Sequence, residues 1–390
     1  MSSVLKPFAG PLPSRRGAID PFFVMEVMKA AAAREAAGGD VIHMEVGQPS
    51  TPAPRAAIEA ATKAAQTNPL GYTLALGVPE LREAISGHYR QYYGLDVPAE
   101  RIVVTTGSSA GFQLAFLAAF DAGDEVALGE PAYPAYRNIL KAVDLVPQMI
   151  VTEAETRFQP TPETIQAAAP NAKGVLVASP ANPSGCMLDH ASLAALVRDC
   201  AARQRWLIVD EIYHGITYGG RAESVLALTD QAIVINSFSK YFSMTGWRLG
   251  WMVLPPQLIR AVECLSQNFY ISAPGISQVA GIAALSAYDE LEQNVARYTR
   301  NREILLNELP KAGFDKLAPA DGAFYIYADI SRFTNDAQDF CTRLLQDTGI
   351  AATPGFDFDR GRGHYFMRFS FAGATDRMIE AAKRLHAWKK

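Results

Sequence analysis

Short apolar runs at residues 102–106, 124–128, 145–151, 174–178, 206–210 and 232–236 read as strands. Stretches with helical spacing at 108–120, 136–142 and 191–203 lie between them. Strands alternating with helices predict an α/β unit whose mostly parallel sheet is sandwiched by helices. Ligands on such sheets bind beyond the carboxyl ends of the strands. Upstream, Pro7, Pro11, Pro13 and Pro21 with Gly10 and Gly17 predict an extended arm over residues 1–20. The alanine-rich stretch 22–37 predicts a helix stopped by Gly38-Gly39, followed by a short strand over 41–46. Further helices are expected over 55–66 and from Pro79 onward. Beyond residue 254 the pattern turns helical at 256–266, 276–286 and 288–309, with strands at 323–328 and 365–371 and helices at 336–346 and 376–388. This predicts a second, smaller α+β unit. No internal repeat or low-complexity segment interrupts either part.

Composition narrows the function. The 390 residues are 49% hydrophobic and 19% charged, as in soluble globular proteins. A net charge of -4 without any basic run argues against nucleic-acid binding. Cys186, Cys200, Cys264 and Cys341 are far apart, show no metal-type spacing and read as thiols of a reducing compartment; the six histidines form no metal pattern either. The N-terminus has no signal-like apolar core, and runs such as 114–120 are too short to span a bilayer. The expectation is a cytoplasmic protein with no metal, membrane or nucleic-acid partner.

The densest chemistry lies in Ser237-Phe238-Ser239-Lys240 and, just beyond, Gly246-Trp247-Arg248-Leu249-Gly250. Lys240 follows an apolar strand and sits among aromatics, so loss of water should lower its pKa towards that of a useful nucleophilic amine. Arg248, Ser237 and Ser239 around one amine suit a phosphorylated aldehyde. Gly107-Ser108-Ser109-Ala110-Gly111 joins a strand to a helix, where free N–H groups and a possible Ser109 donor can cradle a phosphate, although such serines are more often simple caps. Asp210 closes an apolar strand, and Arg368 sits inside the apolar run Tyr365-Phe366-Met367-Arg368-Phe369, where a charge needs a partner.

These motifs resemble, in order from about Gly47 to Arg368, those of the class I and II aminotransferases, the aspartate aminotransferase superfamily of pyridoxal-phosphate enzymes. The resemblance implies an aspartate aminotransferase-like fold, with residues 48–287 as the large cofactor-binding domain and 1–47 with 288–390 as the small domain and arm. It implies pyridoxal 5'-phosphate bound to Lys240 as a Schiff base. Arg248 and Ser237 would bind its phosphate, with Ser108, Ser109 and Ser239 close by and Tyr72 reaching across a homodimer from the other subunit. Asp210 would face the ring nitrogen, Tyr213 and Asn182 the 3-oxygen, and Tyr133 the ring face. Gly47 would lie near the substrate carboxylate and Arg368 would clamp it through paired hydrogen bonds. The implied reaction passes an amino group from an amino acid to a 2-oxo acid, with Lys240 carrying the proton. β-Elimination or decarboxylation on the same scaffold is the alternative, whereas a DNA-binding regulator is disfavoured because the roughly 45 residues before Gly47 suggest no such domain.

Dicarboxylate-specific members of one branch bring an arginine across the dimer in a segment that here reads Asn268-Phe269-Tyr270-Ile271-Ser272-Ala273-Pro274, without arginine. Burying a second substrate carboxylate without a cation is costly. Phe269, Tyr270, Ile19, Phe22 and Phe23 are therefore expected to line an apolar pocket for a neutral aromatic or aliphatic donor, with an aspartate-type enzyme as the alternative.

Overall fold

The computed structural model describes residues 13–389; the first part of the expected arm, 1–12, lies outside the described residues. The strands are β1 (Ile42–His43), β2 (Ile102–Thr105), β3 (Glu125–Glu130), β4 (Val146–Val151), β5 (Gly174–Ala178), β6 (Trp206–Asp210), β7 (Ile233–Ser237), β8 (Gly250–Val253), β9 (Tyr325–Asp329), β10 (Ile350–Ala351), β11 (Thr353–Pro354) and β12 (Phe366–Ser370). The helices are α1 (Phe23–Ala36), α2 (Arg55–Thr67), α3 (Pro79–Tyr93), α4 (Gly107–Ala119), α5 (Ala135–Ala142), α6 (Pro162–Ala168), α7 (His190–Ala202), α8 (Pro256–Phe269), α9 (Gly275–Ala284), α10 (Tyr288–Lys311), α11 (Ala337–Thr348) and α12 (Thr375–Ala387).

Seven strands form the central sheet in the order β2-β8-β7-β6-β5-β3-β4. Only β8 runs against the rest, pairing antiparallel with both β2 and β7. Two successive reversals leave β2 parallel to β7, so the carboxyl ends of the other six strands share one edge. Alternate residues of one strand enter opposite cores: Ile233 and Ile235 pack with Phe112, Phe116 and Leu258, while Val234 packs with Leu81, Ile85 and Leu193. Burial on both faces is why these strands read as unbroken apolar runs.

The C-terminal strands make a separate antiparallel sheet, β11-β12-β9, and β1 pairs in parallel with β10. The expected strand over 41–46 thus shrinks to two residues, although Met44 still donates to Ala351 and accepts from Ser370. β8, β10, β11 and α6 were not foreseen from the pattern; four or fewer apolar residues carry no readable period, and α6 spans only seven residues. The long helix α10 buries Leu291, Val295, Tyr298, Leu305 and Leu309, spaced by three, four or seven residues. Among the described residues no helix is long and apolar enough to cross a membrane.

Gly250 shows how closely β8 supports the start of α4. A Cβ there would come within 2.9 Å of the Asn236 carbonyl oxygen and 3.0 Å of the Ser108 nitrogen, both backbone atoms that cannot swing aside. Gly250→Ala should therefore cost about 1–3 kcal/mol, seen as a lower urea midpoint at unchanged slope. An unchanged midpoint would mean that the β8–α4 contact is looser than described.

Candidate active site

A cavity of about 400 Å³ opens at the carboxyl edge of the central sheet. Its wall includes Gly47, Ser108, Ser109, Tyr133, Asn182, Asp210, Tyr213, Ser239, Lys240, Arg248 and Arg368. Eleven of the thirteen residues expected to serve the cofactor and the substrate carboxylate thus converge on one space.

Lys240 projects from the loop after β7, and its Nζ donates to the Gly47 carbonyl oxygen at 2.5 Å. Its pKa is pushed down to about 8, first by burial and then by the charges of Arg368 and Arg248, against the pull of Asp210. Asp210 ends β6, its Oδ2 accepting from the Tyr136 hydroxyl at 2.5 Å and its Oδ1 from the Ile212 N–H at 3.0 Å. Burial pushes its pKa up to about 6, while those two donors and Lys240 favour the carboxylate. A cation set against Asp210 would hold it charged more firmly.

Arg248 adopts a left-handed backbone, φ 50°, and its Nη1 donates to the Thr245 carbonyl oxygen at 3.0 Å. This brings the guanidinium against the first turn of α4, where a Cβ on Gly107 would lie 2.4 Å from Nη2. Gly107 itself has φ +76°. No side chain caps α4, so Ser108 and Ser109 are first-turn residues rather than caps. Uncapped N–H groups, small residues and a guanidinium together fit a phosphate.

Arg368 is only 4% exposed. Its Nη1 donates to Asn182 Oδ1 at 2.8 Å, and its Nη2 to the Glu45 carbonyl oxygen at 2.5 Å and to Thr353 Oγ1 at 3.3 Å. Its Nε has no partner among the described residues. The guanidinium carbon lies 4.3 Å from the Tyr325 ring centroid and 4.7 Å from that of Phe358, so the cation is desolvated and gripped by two aromatic rings. An unpartnered N–H on a desolvated cation invites a carboxylate.

Two expected positions lie off the wall. Ser237 is one: its hydroxyl donates to the Leu249 carbonyl oxygen at 3.0 Å and accepts from the Ser239 N–H at 3.0 Å, with Ser239 Oγ 2.9 Å away, which sets it one layer behind the cavity, where it braces Ser239. Tyr72 is 85% exposed and does not line the cavity of its own chain. Within one chain the apolar lining differs from the expected set. Phe22 is there, stacked on Tyr133 with centroids 5.9 Å apart, but Phe23 turns onto the edge of Phe356, and Ile19, Phe269 and Tyr270 do not line the cavity. Val24, Met25 and Met28 of α1 and Ile139 of α5 take those places. Asp357 holds α1 there by accepting from the Phe23 and Val24 N–H groups. Sequence reasoning also missed Tyr136 and Tyr325, whose hydroxyls meet Asp210 and Tyr213. Tyr136 sits in the first turn of the amphipathic helix α5 and Tyr325 opens an apolar strand, so neither carried a signal beyond packing.

Residues 39–385 match the family model of the class I and II aminotransferases, whose members are generally pyridoxal-phosphate enzymes. The chain is 48% identical over 377 residues to a valine–pyruvate aminotransferase of Mycobacterium tuberculosis, covering 96% of this chain and 97% of that protein. It is 32% identical over 353 residues to an aspartate aminotransferase of Pyrococcus horikoshii, covering 89% and 90%. The crystal structure of an aminotransferase from Mycobacterium tuberculosis superposes with a TM-score of 0.95 at 47% identity, covering 97% of this chain and 99% of that one.

Because only the neutral amine reacts, carbamylation of Lys240 by cyanate in cofactor-free protein should rise with pH through a midpoint near 8. Site-resolved mass spectrometry reads it. A midpoint near 10.4, that of an ordinary lysine, would contradict the desolvated setting.

Proposed function

Because the chain belongs to the class I and II aminotransferases and moves an amino group from an amino acid to a 2-oxo acid, we propose that its donor is a neutral, aliphatic or aromatic amino acid, bound beside pyridoxal 5'-phosphate. The observation that carries the donor class is the cavity wall. Its cations are Lys240, Arg248 and Arg368, Asp357 adds a carboxylate, and Phe22, Val24, Met25, Met28 and Ile139 give it an apolar stretch. With those three cations committed as proposed below, a side-chain carboxylate on the donor would be buried without a partner, which is costly. The valine–pyruvate relative supports the same reading.

The residues present fit the cofactor. Lys240 would hold it covalently, while Arg248, the α4 N-terminus, Ser108, Ser109 and Ser239 would take its phosphate. Ser237 would support that group through Ser239. Asp210 would keep the ring nitrogen protonated, and Tyr133 would cover one face. Asn182, with its Oδ1 already accepting from Arg368, has its amide N–H groups left for the 3-oxygen, alongside the Tyr213 hydroxyl. When bound, the cofactor supplies an electron sink for the donor's Cα. Arg368 fixes the donor carboxylate, near Gly47, and Lys240 Nζ takes the proton from Cα. A positioned base of this kind is worth about 10²–10⁴ in rate.

Residues 48–287 are read as the large, cofactor-binding domain and 1–47 with 288–390 as the small one. In support, the seven-stranded sheet falls within the first and the remaining strands within the second. Limited proteolysis that cut inside the central sheet before the boundary near 287 would oppose that division. The chain is further read as a homodimer in which Tyr72 serves the partner's site; exposed Ile58, Leu74, Phe269 and Ile271 support an apolar contact. Light scattering at twice the chain mass would support the dimer, and a single-chain mass would oppose it.

The donor class is tested by kcat/KM for valine, leucine, methionine, phenylalanine, alanine and aspartate with one 2-oxo acid acceptor. Neutral donors should lead aspartate by at least about tenfold, a difference of roughly 1.4 kcal/mol in transition-state binding. Aspartate leading by that margin would require a cation not on this wall. Release of ammonia or carbon dioxide without an acceptor would instead favour elimination or decarboxylation.

A further inference from the structure

Tyr325, the first residue of β9, is buried in the wall between groups proposed for different tasks. Its hydroxyl lies 2.7 Å from that of Tyr213. Its ring lies beneath Arg368, 4.3 Å from the guanidinium carbon. Its oxygen occupies space that a side chain on Gly47 would need, since a Cβ there would come within 1.9 Å of it. Gly47 also holds Lys240 through its carbonyl oxygen. One tyrosine therefore touches the phenol facing the cavity, the guanidinium proposed to clamp the donor carboxylate, and the segment that holds the lysine.

The hydroxyl pair acquires a direction once the cavity is filled. A phenol has one proton to donate. If Tyr213 gives its proton to an anionic ring oxygen, its own oxygen is left to accept, and Tyr325 is the donor within reach. A phenol that accepts a hydrogen bond becomes a stronger donor in turn.

We infer that Tyr325 is a positioning residue of amino transfer: its hydroxyl strengthens Tyr213 as a hydrogen-bond donor, and its ring holds Arg368 in place for the donor carboxylate. This rests on the reading that Tyr213 faces the cofactor's 3-oxygen and Arg368 the carboxylate. The two roles separate by substitution, because Tyr325→Phe removes the hydroxyl and keeps the ring, whereas Tyr325→Leu removes both.

Two readouts on cofactor-loaded protein need no turnover. One is the pH midpoint of the change in the visible absorption band, which reports competition between the Lys240 nitrogen and Tyr213 for the 3-oxygen. The other is the Kd of isovalerate, a neutral-chain carboxylate without an amine, titrated on the same band. Weaker donation by Tyr213 lets the nitrogen keep its proton to higher pH. Tyr325→Phe should thus raise the midpoint by about 0.4–1 pH unit, the worth of one net hydrogen bond, and change the isovalerate Kd less than twofold. Tyr325→Leu should raise the midpoint similarly and weaken isovalerate about tenfold, as loss of a desolvated cation–π contact implies. In a Tyr213→Phe background, Tyr325→Phe should add no further shift.

An unchanged midpoint in Tyr325→Phe, or an equal shift with Tyr213 already gone, overturns the hydroxyl role. An unchanged isovalerate Kd in Tyr325→Leu overturns the ring role. Failure of the underlying reading looks different: Tyr213→Phe alone then leaves the midpoint unmoved, or Arg368→Met leaves isovalerate binding intact.

Discussion

The structure turns on one amine held with little water at the carboxyl edge of a parallel sheet. Lys240 has two guanidiniums and one carboxylate as the charged neighbours that shift its pKa, and a backbone carbonyl as its hydrogen-bond acceptor. Lowering its pKa from 10.5 to about 8 corresponds to roughly 3 kcal/mol against the ammonium form. That cost is tolerable in a large, well-covered domain and is what leaves a usable fraction of neutral amine near neutral pH. The same excess of positive charge makes the cavity receptive to anions at Arg248 and Arg368, and Asp210 is the carboxylate among the groups named as shifting Lys240.

Distances between these groups are set by backbone. Lys240 donates to the Gly47 carbonyl oxygen and Arg368 to that of Glu45, so a segment of three residues fixes the amine relative to the guanidinium. Met44, just before it, is tied to both Ala351 and Ser370. On the other side, the reversal of β8 brings Gly250 against the start of α4, and the left-handed turn at Arg248 folds its side chain back on Gly107. The settings of Arg248 and Lys240 therefore both depend on glycines, Gly107 and Gly250 for one and Gly47 for the other, where a side chain would collide with the neighbouring group.

Much of this was legible in the sequence. The parallel α/β core showed as apolar runs because its strands are buried on both faces, and Lys240, Arg248, Asp210 and Arg368 stood out as charges at the ends of, or inside, such runs. Tyr136, Tyr325 and Asp357 did not. Tyr136 sits in an amphipathic helix and Tyr325 in an apolar strand, both buried, and each meets a partner more than seventy positions away, Asp210 for one and Tyr213 for the other. Asp357 reaches α1 across more than three hundred positions. Ser237 illustrates the converse. Its spacing from Lys240 matched the family motif, yet packing turned its hydroxyl to Leu249 and Ser239, and no pattern of residue types reports which way a buried hydroxyl points.

The central claim is that the amine of Lys240 carries the cofactor. Its most direct test is borohydride reduction of the protein loaded with pyridoxal 5'-phosphate, followed by peptide mass mapping. The expected result is one stable adduct on Lys240, absent from Lys240→Ala. An adduct on another lysine such as Lys141 or Lys316, or none on protein that binds the cofactor, would contradict it.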